Sequence, residues 1–409
     1  MKSVEMPDFS NKALPICFVS LGMPLLPLVP YVISYNIFNL RHPLPKIYQS
    51  NSSLVRGGGF GCFTRLVPLT IVRVPAIKSN EGLQMPKALI TGVTGQDGHH
   101  LSKLLLSKGY EVAGLVNGQR NTGEEGFVRL FPDVKLLKGD LTDFSSLLQI
   151  VQDVQPDEIY NLGAISFVGL SFKQPELTAN VTGLGALRLL EAVRKIGAER
   201  KIRFYQASSS EMFGKVREIP QNEMTPFHPR SPYGVAKTFA HFTCLNYREA
   251  YRMHISSGIL FNHEGEYRGY EFVTRKITSN VARIKLGLID KFTLGDLNPK
   301  RDWGYAGDYV EAMWKMNQQE NPDDYVISTG TTRSVKDFVV AALVAAELEP
   351  DVERYVQFDQ NMMRPAEVDL LVGDASKAKR VLGWEPSTTF NQLVNIMVQN
   401  DLRIERQSI

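Results

Sequence analysis

The feature that most limits what this chain can fold into is a glycine-rich turn at residues 92–98, set between two apolar segments. Ala88-Leu89-Ile90 runs into Thr91-Gly92-Val93-Thr94-Gly95-Gln96-Asp97-Gly98. Leu101, Leu104, Leu105 and Leu106 then recur near helical spacing, up to a stop at Lys108-Gly109. A plain strand-to-helix turn needs one glycine. Three, spaced G-x-x-G-x-x-G, let the backbone approach a ligand. The helix start adds free N–H groups and a positive dipole end, so the pattern predicts a dinucleotide pyrophosphate site.

The alternation continues downstream. Residues 110–116 and 134–137 read as strands, 145–154 as a helix closed by Gln155-Pro156, and 158–162 as a fourth strand. A long helix is predicted over 181–196, with Leu184, Leu187, Leu190 and Val193 on one side, and a fifth strand over 202–206. Strands alternating with helices through short links imply an α/β, doubly wound parallel (Rossmann) sheet. Beyond about Phe261 the alternation loosens and Arg, Trp and Pro are scattered, as in a smaller C-terminal substrate-binding lobe. The expected division is 85–260 mainly for an NAD(P)-binding domain and 261–409 mainly for the lobe, the two interleaved.

Residues 1–84 stand apart. They hold eight basic residues against three acidic ones, whereas residues 85–409 hold 38 against 40. No acid lies between Phe9 and Asn80, and the uncharged run from Ala13 to Leu40 is long enough to raise a membrane-anchor reading. Pro24, Pro27 and Pro30 oppose a straight helix there. The basic, acid-poor composition also suits a targeting segment. Met85-Pro86-Lys87 directly precedes the first strand, which favours reading 1–84 as an extension, disordered or translated from a misplaced start. The near-balanced charge gives no nucleic-acid footprint. Cys17, Cys62 and Cys244 are too few and too scattered for a disulfide framework or a metal site, which points to a reducing, cytoplasmic setting.

Tyr233-Gly234-Val235-Ala236-Lys237 puts a phenol and an ammonium on one helical face. With 15 tyrosines in the chain such a pair arises by chance, so context decides. Ser231-Pro232 makes a helix start, and the fifth strand ends at Ala207-Ser208-Ser209-Ser210-Glu211. Lys237 and a nicotinamide cation are expected to lower the Tyr233 phenol, so that it takes a hydroxyl proton as hydride leaves the same carbon. Ser209 would bond the same oxygen. Glu211 supplies a carboxylate that simple oxidation does not need; the bland alternatives are a polar turn for the serines and a solvated acid for Glu211. Asp140, after the third strand, reads equally as a helix cap or, with Leu141, as a neighbour of an adenine.

Together these motifs resemble the extended short-chain dehydrogenase/reductase superfamily. Within it, Phe204-Tyr205-Gln206-Ala207-Ser208-Ser209-Ser210-Glu211, Pro229-Arg230-Ser231-Pro232-Tyr233, Asn262-His263-Glu264, Phe272-Val273-Thr274-Arg275-Lys276, Arg301-Asp302-Trp303 and Arg364-Pro365-Ala366-Glu367 resemble the GDP-mannose 4,6-dehydratases, over residues 87–401. The resemblance implies a homo-oligomeric lyase that loses water from GDP-mannose by an internal redox cycle with bound NADP, with no membrane or nucleic-acid partner. A 4-reductase or epimerase of the same superfamily is the competing reading, and a non-catalytic nucleotide-binding module a third.

The resemblance puts the catalytic group on Ser209, Glu211, Tyr233 and Lys237. Cofactor contacts fall on Gly92, Val93, Thr94, Gly95, Gln96, Asp97, Arg120, Asp140, Leu141, Leu162, Gly163, Ala164, Ile165, Ser166, His263 and Arg268, besides Tyr233 and Lys237. Substrate contacts fall on Asn262, Arg275, Lys276, Arg301, Arg364 and Glu367, the cations serving the diphosphate. His263 and Arg268 could also be packing or surface groups. The chain departs from the family at Asn117-Gly118-Gln119-Arg120, Ile165-Ser166-Phe167, Leu177 and Gly265-Glu266-Tyr267. A single Arg and no acid at the tip of the second strand favour NADP over NAD.

Overall fold

A computed structural model describes residues 85–117, 123–196, 201–360, 368 and 370–409. The expectations for residues 1–84, Arg120, Arg364 and Glu367 lie outside the described residues.

Twelve strands are described: β1 (Lys87–Thr91), β2 (Glu111–Val116), β3 (Lys135–Lys138), β4 (Glu158–Asn161), β5 (Arg203–Ser209), β6 (His254–Leu260), β7 (Asn262–Glu264), β8 (Phe292–Leu294), β9 (Lys300–Tyr305), β10 (Asp324–Ile327), β11 (Thr332–Ser334) and β12 (Val356–Phe358). The α-helices are α1 (Gln96–Ser107), α2 (Glu124–Leu130), α3 (Phe144–Val154), α4 (Val168–Lys173), α5 (Pro175–Thr178), α6 (Gly185–Ile196), α7 (Pro232–Tyr251), α8 (Val273–Lys285), α9 (Ala306–Gln318), α10 (Val335–Ala345), α11 (Val352–Tyr355), α12 (Ser376–Leu382) and α13 (Phe390–Gln407).

Seven strands form one parallel sheet in the order β10-β6-β5-β4-β1-β2-β3. The central strand β1 is apolar because helices cover both faces: Ala88, Leu89 and Ile90 are fully buried. On one side Leu101, Leu105, Tyr309, Met313, Met316 and Trp384 pack against the sheet; on the other, Leu147, Leu189, Leu190, Phe204, Cys244 and Ile255. The strand order reverses between β1 and β4, which opens a crevice at the carboxyl ends of the strands.

The lobe has its own core around Ile277, Val281, Trp303, Phe338, Leu393 and Met397. A small sheet, β11-β9-β7, lies at its edge. The chain also returns to the large sheet. β10 is its outer strand, and α9 packs beside α1. The buried Asp308 of α9 accepts from Ser387 Oγ (2.6 Å) and the Thr388 N–H (2.8 Å), and its carbonyl accepts from Trp384 Nε1 (2.8 Å). No helix among the described residues is long and apolar enough to cross a membrane.

Three local readings differ from the sequence expectation. β5 does not end at Gln206 but continues through Ser209, because Ala207, Ser208 and Ser209 pair with Gly258, Ile259 and Leu260 of β6. The helix predicted over 181–196 opens as a π-helical turn, Ala179–Leu184, before α6. Asp140 is not a helix cap: Asp143 caps α3 by accepting from Ser145 and Ser146 N–H, while Asp140 holds Thr142.

Candidate active site

The carboxyl ends of β1, β4, β5 and β6 meet in one cleft of about 390 Å³. Its floor is the glycine turn. Gly92 has φ +68°, and a Cβ there would come within 2.9 Å of the Gly163 backbone. The two turns are tied together by Thr91, whose Oγ1 accepts from the Gly163 N–H (2.9 Å) and donates to Asn161 (2.7 Å). α1 starts directly after Gly95, with no side chain capping its first N–H groups. A cradle that only glycine permits, facing an uncapped helix start, fits a dinucleotide's pyrophosphate.

The far wall comes from the segment after β6. His263 Nε2 lies 2.9 Å from Asp97 Oδ2, His263 Nδ1 lies 2.8 Å from the Phe261 carbonyl, and the ring stacks on Tyr309. Gln96 Nε2 donates to the His263 carbonyl (3.0 Å). Arg268 pairs with the buried Glu264 (2.9 Å) and lies 3.5 Å over the Phe272 ring. Burial opposes both charges of the Asp97–His263 pair. Mutual attraction and their hydrogen bond nevertheless carry Asp97 well below the carboxylate range and raise His263 above its ordinary value.

The sign of the linkage follows from those directions. The lowered carboxylate contributes stability above its unfolded value of 3.8, lost as pH falls; the raised imidazole contributes below 6.5, lost as pH rises through its folded value. The pair is therefore most stabilising between those limits. His263→Asn should lower stability by about 1–3 kcal/mol there, with a smaller deficit at pH 9. Thermal melts of both proteins across pH check this.

The third wall carries the reactive groups. Ser231 caps α7 by accepting from the Gly234 N–H (3.0 Å), with Pro232 in its first turn, so Tyr233 and Lys237 enter the cleft from one helical face. Lys237 Nζ donates to the Ala207 carbonyl (2.6 Å) and lies 5.7 Å from the Tyr233 ring centroid. Burial lowers the ammonium to about 8. Burial also pushes the Tyr233 phenol up; a hydrogen bond with Ser209 opposes this and the Glu211 charge adds to it. The expected depression of the phenol by Lys237 is not seen among the residues themselves, where burial is the larger effect; the sequence expectation also counts on the cofactor's cationic ring. Glu211 is buried beside this group, its N–H donating to Ser209 Oγ (3.3 Å).

A family profile described as GDP-mannose 4,6 dehydratase matches residues 89–397. GDP-mannose 4,6 dehydratase 2 of Arabidopsis thaliana is 50% identical over 346 residues, covering 82% of this chain and 92% of the relative. The chain belongs to the GDP-mannose 4,6-dehydratase family. The Homo sapiens GDP-mannose 4,6 dehydratase is 47% identical over 361 residues, covering 82% and 97%. Among solved structures, the Thermus thermophilus UDP-glucose 4-epimerase complex with NAD aligns with a TM-score of 0.68 at 27% identity, covering 77% of this chain and 98% of the other. RMD from Pseudomonas aeruginosa complexed with NADPH shares the fold, with a TM-score of 0.65 at 23% identity, covering 78% and 100%.

In this dehydratase-family chain the cleft brings together Gly92, Thr94, Gly95, Gln96, Asp97, Leu162, Gly163, Ala164, Ser166, Ser209, Glu211, Tyr233, Lys237, Asn262, His263 and Arg268. Val93 is buried beneath α1, and the Ile165 N–H is taken by Thr182 Oγ1 (3.1 Å). Asp140 sits away from the cleft lining and accepts from Asn117 Nδ2 (3.0 Å), while Leu141 packs under Gly163.

Arg275, Lys276 and Arg301 do not join the cleft lining. Arg275 is buried against Asp401 (2.7 Å) and the Glu266 and Arg268 carbonyls; Arg301 donates to the Lys300 and Val368 carbonyls. Lys276, one residue along α8, lies outside the lining too. Phe167 and Phe272, whose rings meet edge to face at 5.8 Å in the cleft wall, were not among the candidate contacts, although both lie in segments the sequence reading singled out.

Proposed function

We propose that this dehydratase acts on GDP-mannose with NADP, giving GDP-4-dehydro-6-deoxy-mannose, and that Ser209, Glu211, Tyr233 and Lys237 carry the reaction. The observation that supports it is the buried Glu211 carboxylate in the same cleft as the serine, phenol and ammonium. Oxidation alone needs no such acid.

The glycine turn, Leu162, Gly163, Ala164, Lys237 and His263 would hold the dinucleotide. Bound NADP supplies a reversible hydride acceptor, restored within one turnover, and a cationic ring beside the phenol. Tyr233 takes the O4 proton of the hexose while Ser209 hydrogen-bonds the same oxygen. The resulting 4-ketone acidifies C5–H. Glu211 removes that proton and protonates the departing C6 hydroxyl, so that water leaves and the acid is again a carboxylate. The alkene left between C5 and C6 would then take back the stored hydride at C6 and a solvent-derived proton at C5, while Tyr233 returns its proton to solvent. Lys237, held on Ala207, orients Tyr233 and keeps positive charge near it. Asn262 remains a substrate contact in this reading, whereas Arg275 and Arg301 brace the lobe. The division into an 85–260 cofactor part and a 261–409 substrate part belongs to the same proposal, as does a cytoplasmic setting.

Incubation with GDP-mannose and no added reductant tests the reaction. The expected product is a 4-keto sugar lighter by one water. A 4-epimer of unchanged mass, or no product until a reductant is added, would replace this reading with an epimerase or a reductase.

The homo-oligomeric state belongs to this reading as well. Val235, Phe239 and Phe242 expose 56%, 45% and 51% of their surface along α7, flanking a shallow apolar groove with Leu187 and Tyr247. Such a stripe suits self-association. Phe239→Asp with Phe242→Asp should convert the oligomer to monomer in sedimentation velocity; unchanged sedimentation would move the interface elsewhere.

A further inference from the structure

The face of α7 that carries Tyr233 and Lys237 does not stop there. One turn on, His241 Nδ1 lies 2.9 Å from Ser208 Oγ, and both residues are buried. The helix therefore touches three successive residues at the end of β5: Lys237 holds the Ala207 carbonyl, His241 holds the Ser208 hydroxyl, and Tyr233 hydrogen-bonds Ser209. Two of these rungs belong to the catalytic group. The middle one has no part in the chemistry above.

We propose that His241 is a positioning residue: through Ser208 it fixes the strand end that presents Ser209 and Glu211 to the substrate. The proposal rests on the dehydratase reading for its catalytic consequence, and on geometry for the rest. Behind the ring, Asp324 Oδ2 of β10 lies 4.0 Å from His241 Nε2, and Arg248 holds that carboxylate in turn. The contact is longer than a hydrogen bond, but the negative charge facing Nε2 favours the tautomer with its proton there. Nδ1 is then an acceptor and the Ser208 hydroxyl donates to it. Phe227 and Phe242 meet the ring edge-on at 5.3 and 5.8 Å and confine it. Burial lowers the imidazole's proton affinity, which keeps it in the neutral form this arrangement uses. The arrangement spans three elements: β10 sets the tautomer, α7 carries the ring, and β5 receives the bond.

Catalysis is sensitive to such placement, since a shift of about 1 Å in a reacting group can cost about 100-fold. His241→Leu removes the acceptor and Ser208→Ala removes the donor. Each should lower kcat for the 4-keto product about tenfold to a hundredfold with little change in KM. His241→Asn, which keeps an amide oxygen near the Nδ1 position, should restore most of it. The double variant should be no worse than either single one, because both break the same bond. Amide hydrogen exchange, read by mass spectrometry on the peptide spanning 205–212, should quicken in His241→Leu and Ser208→Ala and return toward wild type in His241→Asn.

Unchanged exchange in that peptide, full kcat in Ser208→Ala, or additive losses in the double variant would each overturn the proposal. A wild-type chain that leaves GDP-mannose untouched would fell the dehydratase reading, while the exchange comparison still decides whether His241 holds the strand end.

Discussion

Replacing Glu211 by glutamine should cut formation of the 6-deoxy product by about 10²–10⁴-fold, the usual contribution of a positioned acid–base group. The substitution keeps the size and hydrogen-bonding capacity of the side chain and removes its ability to take a proton. Glu211 is buried at the end of β5, in the short 3₁₀ turn Ser210–Met212, and its N–H rests on Ser209 Oγ. An isosteric amide should leave that turn intact. Tyr233, Ser209 and Lys237 remain, so oxidation at C4 survives and the step that fails is removal of the C5 proton. Two measurements separate the steps: reduced cofactor held on the enzyme, which should accumulate, and incorporation of solvent deuterium at C5, which should collapse. A variant that makes 6-deoxy product near the wild-type rate would falsify the role of this acid and favour the epimerase or reductase alternative.

Gly98→Ala should be nearly as damaging, through packing rather than chemistry. A Cβ at residue 98 would stand 2.1 Å from the Val93 carbonyl oxygen and 2.4 Å from its carbon, both backbone atoms. No side chain can swing away to make room. Either α1 lifts off the turn or the turn deforms, and each destroys the alignment of the first helical N–H groups with the glycine cradle. Overpacking of this kind costs about 1–3 kcal/mol, occasionally more. The expected outcome is a lowered thermal midpoint together with loss of bound dinucleotide from the purified protein, read by mass spectrometry after denaturation. Retention of both would show that the close approach of α1 to Val93 is not needed to hold the cofactor.

Much of the sheet was legible because its signals are local. The apolar run at 88–90, the glycines after it and the leucines of α1 lie within twenty residues, so periodicity alone places them. Tyr233 and Lys237 were legible for the same reason, one helical turn apart. What could not be read depends on partners distant in the chain. The Asp97–His263 pair joins residues 166 apart, and nothing near either one announces the other. Arg275 sits in a motif that suggests anion binding, yet its guanidinium faces Asp401 on α13 and two backbone carbonyls. A motif records which cation is present, not which acid reaches it first.

The end of β5 was misread for a related reason. Ala207-Ser208-Ser209 has the composition of a turn, but pairing with Gly258, Ile259 and Leu260 carries the strand three residues further. Tertiary pairing overrode a weak local preference. The same extension puts Ser208 within reach of His241.

The late return of the chain to its own sheet has a consequence for synthesis. The outer strand β10 ends at Ile327, and the flank beside α1 is closed by α9 and Trp384. A ribosome that has finished β6 has therefore made six of the seven strands and the helices of one face, but not β10, α9 or Trp384, which complete the edge and the other face. At roughly 5–20 residues per second, the open edge of β6 and the bare apolar flank of α1 stay uncovered for on the order of ten seconds while the remaining segments emerge. During that interval the nascent chain presents a ready template for pairing with other strands. Its success in the cell therefore depends on whatever shields that edge until Asp324–Ile327 arrives.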